Sequence, residues 1–234
     1  MKPTELRKAR GVYYGKITNL DHQLGRVLGR LQIEGSLDDT FIVYTSDHGE
    51  MLGDYDDTAK RTFLEPSVNV PLIVRPQAAM GFEPGRVLNA LVGLDDLLPT
   101  LCEVAGAACP EDVTGRSWVP LLTGENSIVR DHLHGQIDNS HMFHDGEYKY
   151  LYFADDGTEL LFHADDRLDA HNLVAESGPL ERMRRRFTEH LASENHPHLI
   201  DGRLVNLNTP WPSEAQLRAR NALGWPSPFR GNPT

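Results

Sequence analysis

Asp47 and His48, side by side in FIVYTSDHGE (41–50), are the residues whose types and placement could do chemistry most directly. An apolar run that ends on an acid and an imidazole delivers both groups to the carboxyl end of a strand, the rim where open α/β sheets bind ligands. A carboxylate alone suits Mg²⁺ or Ca²⁺, and an adjacent imidazole shifts the preference toward Mn²⁺ or another transition metal. Gly49 lets the backbone turn away sharply. Asp47 and Glu50 also have the spacing of a helix capping box, although MLGDYDDT beyond them has no sustained apolar period to continue a helix. Lys60, in the loop that follows, reads by itself as a solvated cation, the usual state of a lysine.

A second group is His132, His134, His141 and His144 in RDHLHGQIDNSHMFHDG. His132 and His134 alternate on one face of a strand, which suits a metal. The alternative is a set of partly exposed loop histidines, because no cysteine and no clear fourth ligand accompanies them.

The elements that must position these groups follow from periodicity. From Val12 to Leu31, Ile17, Leu20, Leu24, Val27, Leu28 and Leu31 mark one helix face, and Gly35 is placed to end it. TFIVYTSDHG has the nearly continuous apolar character of a strand buried on both faces. NVPLIVRP (69–76) is a second strand, limited by Pro71 to an edge or a mid-run start. GLDDLLPTLCEVAG (93–106) reads as a helix capped by Asp95 and Gly106, with Pro99 early enough to be tolerated. Asp145–Gly146 and Asp156–Gly157 predict tight hairpin turns and three antiparallel strands in a meander. In PLERMRRRFTEHL, Leu180, Met183, Phe187 and Leu191 predict an amphipathic helix with Arg182, Arg184, Arg185 and Arg186 on its solvated face. The fold class expected is α/β: a partial mixed sheet layered with helices (1–106), a small α+β subdomain with an antiparallel meander (107–194), and an irregular Pro-rich tail (195–234).

Composition narrows the function. The 234 residues are 39% hydrophobic and 24% charged, ordinary for a globular protein. Lys plus Arg is 23 against 34 for Asp plus Glu, a net charge of −11 that repels phosphate backbones and anionic lipid and argues against nucleic-acid or membrane partners. Cys102 and Cys109 form no ligand-spaced cluster or disulfide framework, which favours a reducing, cytoplasmic setting. The N-terminal MKPTELRKARGVYYGK has no apolar core of a signal peptide.

The order of motifs carries a resemblance. A helix with Leu-Asp at its centre, an apolar strand ending in SDHGE, a Gly-Asp loop, a lysine and then VPLIV are similar to the later part of the catalytic domain of sulfatases, in the alkaline-phosphatase superfamily. GEYKYLYFADDGTELLFHADDRLDAHNLV resembles that family's C-terminal subdomain, so the likeness runs over roughly residues 10 to 175. It implies a hydrolase of small-molecule sulfate esters that depends on a divalent metal, Ca²⁺ or Mn²⁺. It also implies metal ligation by Asp47 and His48, a sulfate contact for Lys60 where fixed positive charge stabilises sulfuryl oxygens, and a place beside the substrate pocket for His134. The family's formylglycine arises in a C/S-x-P-x-R signature; the stretches at Cys102, Cys109 and Ser227 all fail that pattern. The nucleophile is therefore expected only in an N-terminal part that these residues do not match, and the chain alone is expected to be inactive. Association with such a part, or with a second copy, is the implied assembly. Tyr55, Asp56 and Asp57 stand where many relatives carry His-Gly-Leu or a tryptophan. A phosphonate or phosphate ester hydrolase of the same superfamily, and a non-catalytic module, are the alternatives.

Overall fold

The computed structural model describes residues 2–125 and 128–208. The first helix, α1 (Pro3–Ile33), starts nine residues ahead of the apolar stripe that predicts it, because Pro3 supplies a preset φ at the first helical position and good helix formers follow. Gly35, at φ 70°, takes the left-handed conformation just beyond it. None of its residues is buried, and Val12, Tyr14, Leu20 and Val27 are more than half exposed.

Strand β1 (Ile42–Thr45) pairs antiparallel with β2 (Leu72–Arg75), from Ile42 opposite Arg75 to Thr45 opposite Leu72. Pro71 falls just before β2, where its missing N–H costs no ladder bond. The apolar run predicts a strand buried on both faces, yet no residue of β1 is buried and Tyr44 is exposed. Continuous apolar character records what a strand can bury, and among the described residues β2 is the only strand paired with β1. After the single turn α2 (Glu65–Val68) and β2, helix α3 (Leu97–Ala105) ends on Gly106 in the left-handed region.

At the start of α3 the N-cap residue is Asp96, which is buried, and not the Asp95 expected from the sequence to cap the helix. Asp96 accepts from the Gly93 amide at 2.8 Å, the Arg116 amide at 2.7 Å and the Trp118 indole at 3.2 Å, and it pairs with Arg130. This cluster seats α4 (Val119–Thr123), whose Leu121 is buried beside Trp118.

The meander has four strands, not three: β3 (Leu133–Ile137), β4 (Ser140–His144), β5 (Tyr148–Phe153) and β6 (Thr158–His163), in that order across the sheet. Gly146 at φ 90° and Gly157 at φ 76° serve the two Asp-Gly turns. The extra hairpin turns at Asp138–Asn139, where Asp138 itself adopts φ 51°, a conformation Asp and Asn tolerate better than most residues.

Period-2 alternation gives this sheet two buried faces, and the core sits on both. Phe143, Tyr150, Tyr152 and Leu161 pack against Leu180, Met183, Phe187 and Leu191 of helix α5 (Ser177–Ser193). On the other face Leu151, Leu160 and Phe162 pack against Met51, Phe63 and Leu64. Each such side chain contributes roughly 1.5–3 kcal/mol by leaving water. Of the arginine run of α5, Arg185 is solvated as the sequence suggests, but the other three turn to carboxylates of the meander. Arg182 reaches Glu147, Arg184 reaches Glu159 and Arg186 reaches Asp145, at 2.6–2.8 Å.

Part of the expected irregular tail is ordered. Strands β7 (Leu199–Ile200) and β8 (Arg203–Leu204) form a small hairpin. It is joined to the meander by the Leu207 amide donating to Ala154 at 2.8 Å and the Tyr152 hydroxyl donating to Val205 at 2.7 Å. Residues 209–234 of that tail lie outside the described residues.

Candidate active site

Three polar groups meet beyond the carboxyl end of β1. The His48 ring donates from Nδ1 to the Gly49 carbonyl at 2.8 Å, which leaves the Nε2 lone pair as the acceptor. Lys60 Nζ donates to that Nε2 at 2.7 Å, and Asp47 Oδ2 lies 3.3 Å from it. Asp47 is held in turn by the His48 amide at 3.0 Å and the Ser46 hydroxyl at 3.3 Å. Desolvation pushes its carboxyl up, but the His48 amide and imidazole, its own amide and the Ser46 hydroxyl together outweigh that and hold it below the usual range. Asp47 and His48 remain accessible to a ligand, with side-chain exposures of 83% and 37%.

The capping-box alternative for Asp47 is not realised, since no helix follows it. Glu50 turns inward instead and accepts from the Leu52 amide at 3.3 Å and from the Ala59 amide. Gly49 answers a steric demand: its amide donates to Ser67 at 2.7 Å, and a Cβ there would stand 2.0 Å from the Pro66 carbonyl oxygen.

The loop that delivers Lys60 is strained. Leu52, Tyr55, Asp56, Ala59 and Arg61 all have φ between 48° and 82°, where side-chained residues cost about 1–2 kcal/mol each. Its neighbours over-determine it. Arg10 of α1 donates to the Leu52 carbonyl at 2.8 Å and to Asp54 at 3.0 Å, Arg61 pairs with Asp138 of the meander at 2.6 Å, and the Tyr55 hydroxyl donates to the Leu168 and Asp169 carbonyls. Burial and then the Asp169 charge push the Tyr55 phenol up to about 12, so it stays a donor.

Beneath the loop is a buried charge cluster absent from the sequence reading. Lys149, 2% exposed, donates to Glu65 at 2.5 Å and Asp169 at 2.7 Å. Burial pushes Asp169 up against the pull of Lys149, and the Glu65 charge adds a smaller push in the same direction. The signal was present: in EYKYLYF, Lys149 shares strand parity with Leu151 and Phe153, which are core-facing.

His134 lies elsewhere. It pairs across strands with Phe143 and stacks on His141 on the α5 face of the meander, whereas Gly135 on the opposite face meets Phe63 from the active-site segment. The structure thus brings Asp47, His48 and Lys60 together and sets His134 on the far side of the sheet. Burial and the neighbouring histidines hold the His134 imidazole at about 4 and the His141 imidazole at about 3, so both are neutral at physiological pH.

The family model for sulfatases matches residues 2–107, the segment that holds all three groups. Residues 2–107 belong to the sulfatase family. Over a longer span the chain is 34% identical to the arylsulfatase of Clostridium perfringens, with 76% of this chain and 38% of that protein covered. It is also 34% identical to the multifunctional alkaline phosphatase superfamily protein PehA of Trinickia caryophylli, covering 67% of this chain and 30% of that one. Among solved structures, the phosphonate monoester hydrolase SpPMH of Silicibacter pomeroyi superposes with a TM-score of 0.72 at 31% identity, over 80% of this chain and 42% of the other. The chain spans well under half of each of these relatives, and its fold is that of the alkaline-phosphatase superfamily.

Proposed function

We propose that this chain contributes the metal-binding strand end and the anion-contacting lysine of a sulfate-ester hydrolase. The convergence of the Asp47 carboxylate, the His48 Nε2 lone pair and the Lys60 ammonium beyond β1 is the observation that carries this reading. The donor set fits a divalent ion: the 3.3 Å between Asp47 Oδ2 and His48 Nε2 is close to what two ligands at about 2.1–2.4 Å subtend. The Gly49 carbonyl already fixes the tautomer that frees Nε2. In this structure the Lys60 ammonium occupies the direction such an ion would take, itself a sign that the site accepts a cation.

Ca²⁺ or Mn²⁺ bound there supplies charge neutralisation at the ester oxygens. Lys60 contributes positive charge to the sulfuryl oxygens and leaving group. Two protein ligands leave most of about six coordination positions to water, substrate or further residues. The sequence has no C/S-x-P-x-R stretch, so turnover by the chain on its own stays at background. A second reading, hydrolysis of phosphonate or phosphate esters with the same ligands, draws support from the likeness to SpPMH and PehA.

The test places residues 2–107 in the corresponding part of the Clostridium perfringens arylsulfatase, which supplies a nucleophile, and assays p-nitrophenyl sulfate beside p-nitrophenyl phenylphosphonate. Asp47→Asn, His48→Asn and Lys60→Ala should each lower kcat/KM by about 100-fold or more with circular dichroism unchanged. A folded, active chimera indifferent to all three would overturn the site, and faster phosphonate turnover would establish the second reading.

A further inference from the structure

On the α5 face of the meander, one carboxylate and two ring nitrogens point at one another without being used by the sulfatase site. His190 and Glu194 stand one helical turn apart at the end of α5, so they share a side of the helix, and His134 faces them from β3. Glu194 Oε1 is 3.4 Å from His190 Nε2, and Oε2 is 3.9 Å from His134 Nδ1. One ligand atom from each residue lies within 4.8 Å of the other two. Ligands of a tetrahedral ion held at about 2.0–2.1 Å stand roughly 3.3 Å apart, so a contraction of up to about 1.5 Å, within reach of the half-exposed Glu194 side chain, completes the site.

The hydrogen bonding around the two rings makes the same assignment independently. His134 Nε2 contacts His141 Nδ1 at 3.1 Å, and His190 Nδ1 contacts His132 Nε2 at 3.2 Å. Each ring is thus oriented through its far nitrogen, the arrangement that metal-binding histidines take. The near nitrogen of His190 is buried and has no hydrogen bond, although a buried imidazole nitrogen ordinarily finds one. His134 and His190 are 13% and 15% exposed, while Glu194 is 47% exposed and gives an ion a path in. The adjacent trio His141, His196 and His198 is different: its nitrogens are taken by a 2.7 Å contact between His141 and His198 and a 2.9 Å bond from His196 to Gln136.

We propose that His134, His190 and Glu194 bind one divalent transition-metal ion, with water in a fourth position, and that the ion clamps the end of α5 to β3. Two imidazoles and a carboxylate select Zn²⁺ or Co²⁺ over Ca²⁺ or Mg²⁺, which prefer all-oxygen sites. The site is distinct from Asp47 and His48, which belong to the opposite side of the sheet.

The experiment is calorimetric titration of the full chain, stripped of metal with a chelator, with Zn²⁺, together with the visible spectrum of its Co²⁺ form. One tight equivalent of Zn²⁺ should bind, apart from weaker binding at the two ligands Asp47 and His48, and raise Tm, and the Co²⁺ spectrum should show tetrahedral intensity. Glu194→Gln, at a half-exposed position that tolerates change, should weaken Zn²⁺ binding at least about tenfold and remove the Tm rise. His190→Asn should do the same, and Asp47→Asn should leave both intact. Tight Zn²⁺ binding that survives Glu194→Gln and His190→Asn, that is absent from the wild-type chain, or that disappears in Asp47→Asn overturns the assignment.

Discussion

His48 has one free lone pair and two claimants for it, the Lys60 ammonium and a metal ion. Lys60→Ala should therefore raise Mn²⁺ affinity severalfold and His48→Asn should abolish it, as read by the loss of the free-Mn²⁺ signal in electron paramagnetic resonance. The adjoining loop offers a stability measurement. Ala59 sits at φ 74°, where glycine carries no steric penalty, so Ala59→Gly should raise the urea midpoint by the equivalent of about 0.5–1 kcal/mol. Asp47, His48 and Gly49 were legible in the sequence because they are neighbours in it and end an apolar run. The strand parity of Lys149 was legible too, but the partners of Tyr55 and Lys149 were not, because Tyr55 bonds to Asp169, 114 residues away, and Lys149 to Glu65, 84 residues away. Local pattern carries no record of such pairings.

At the scale of elements, α5 was readable in its apolar face and misread in its polar one. Leu180, Met183, Phe187 and Leu191 recur with the helical period, whereas the carboxylates that receive its arginines come from the meander. Phe187 is fully buried and touches Phe143, Tyr150 and Tyr152, so Phe187→Ala should cost about 3–5 kcal/mol, measured by urea denaturation. Burial pushes the Asp145 carboxyl up, but the Tyr148 and Glu147 amides with Arg182 and Arg186 hold it below the usual range. Burial likewise raises Glu159, and the fork of Arg184 with the Tyr150 hydroxyl more than reverses that. Both carboxyls are thus lower in the folded state than in the unfolded one. Their contribution to stability is complete above the unfolded value of about 4 and is lost as pH falls through the folded values. Tm should drop on acidification from pH 5 to pH 3, and Glu159→Gln should flatten that drop. The antiparallel pairing of β1 with β2 was hidden for another reason: an apolar run fixes neither the direction nor the number of a strand's partners.

In the whole molecule the two halves of the described chain are unequally buried. The meander and α5 hold most of the core, while α1, about 46 Å long from its 31 residues, keeps its apolar stripe open and β1–β2 exposes Tyr44 and Ile73. Surfaces of this kind associate. Light scattering on the eluting chain should give a mass above 26.2 kDa, and Leu20→Lys combined with Val27→Glu should bring it down to that value. A wild-type chain that runs as a monomer would contradict this. The ties that hold the strained Lys60 loop have a further consequence, one of timing. Arg61 waits for Asp138 and Tyr55 for Leu168, separations of 77 and 113 residues. At roughly 5–20 residues per second of synthesis, the loop spends on the order of ten seconds outside the ribosome before its last anchor exists. During that interval only Arg10 among these ties, through Leu52 and Asp54, steadies its left-handed backbone, so the loop samples other shapes and takes its bound-ready form only when the distant turn arrives. In a growing chain this site is set not when its own residues emerge but when a turn made 113 residues later reaches it.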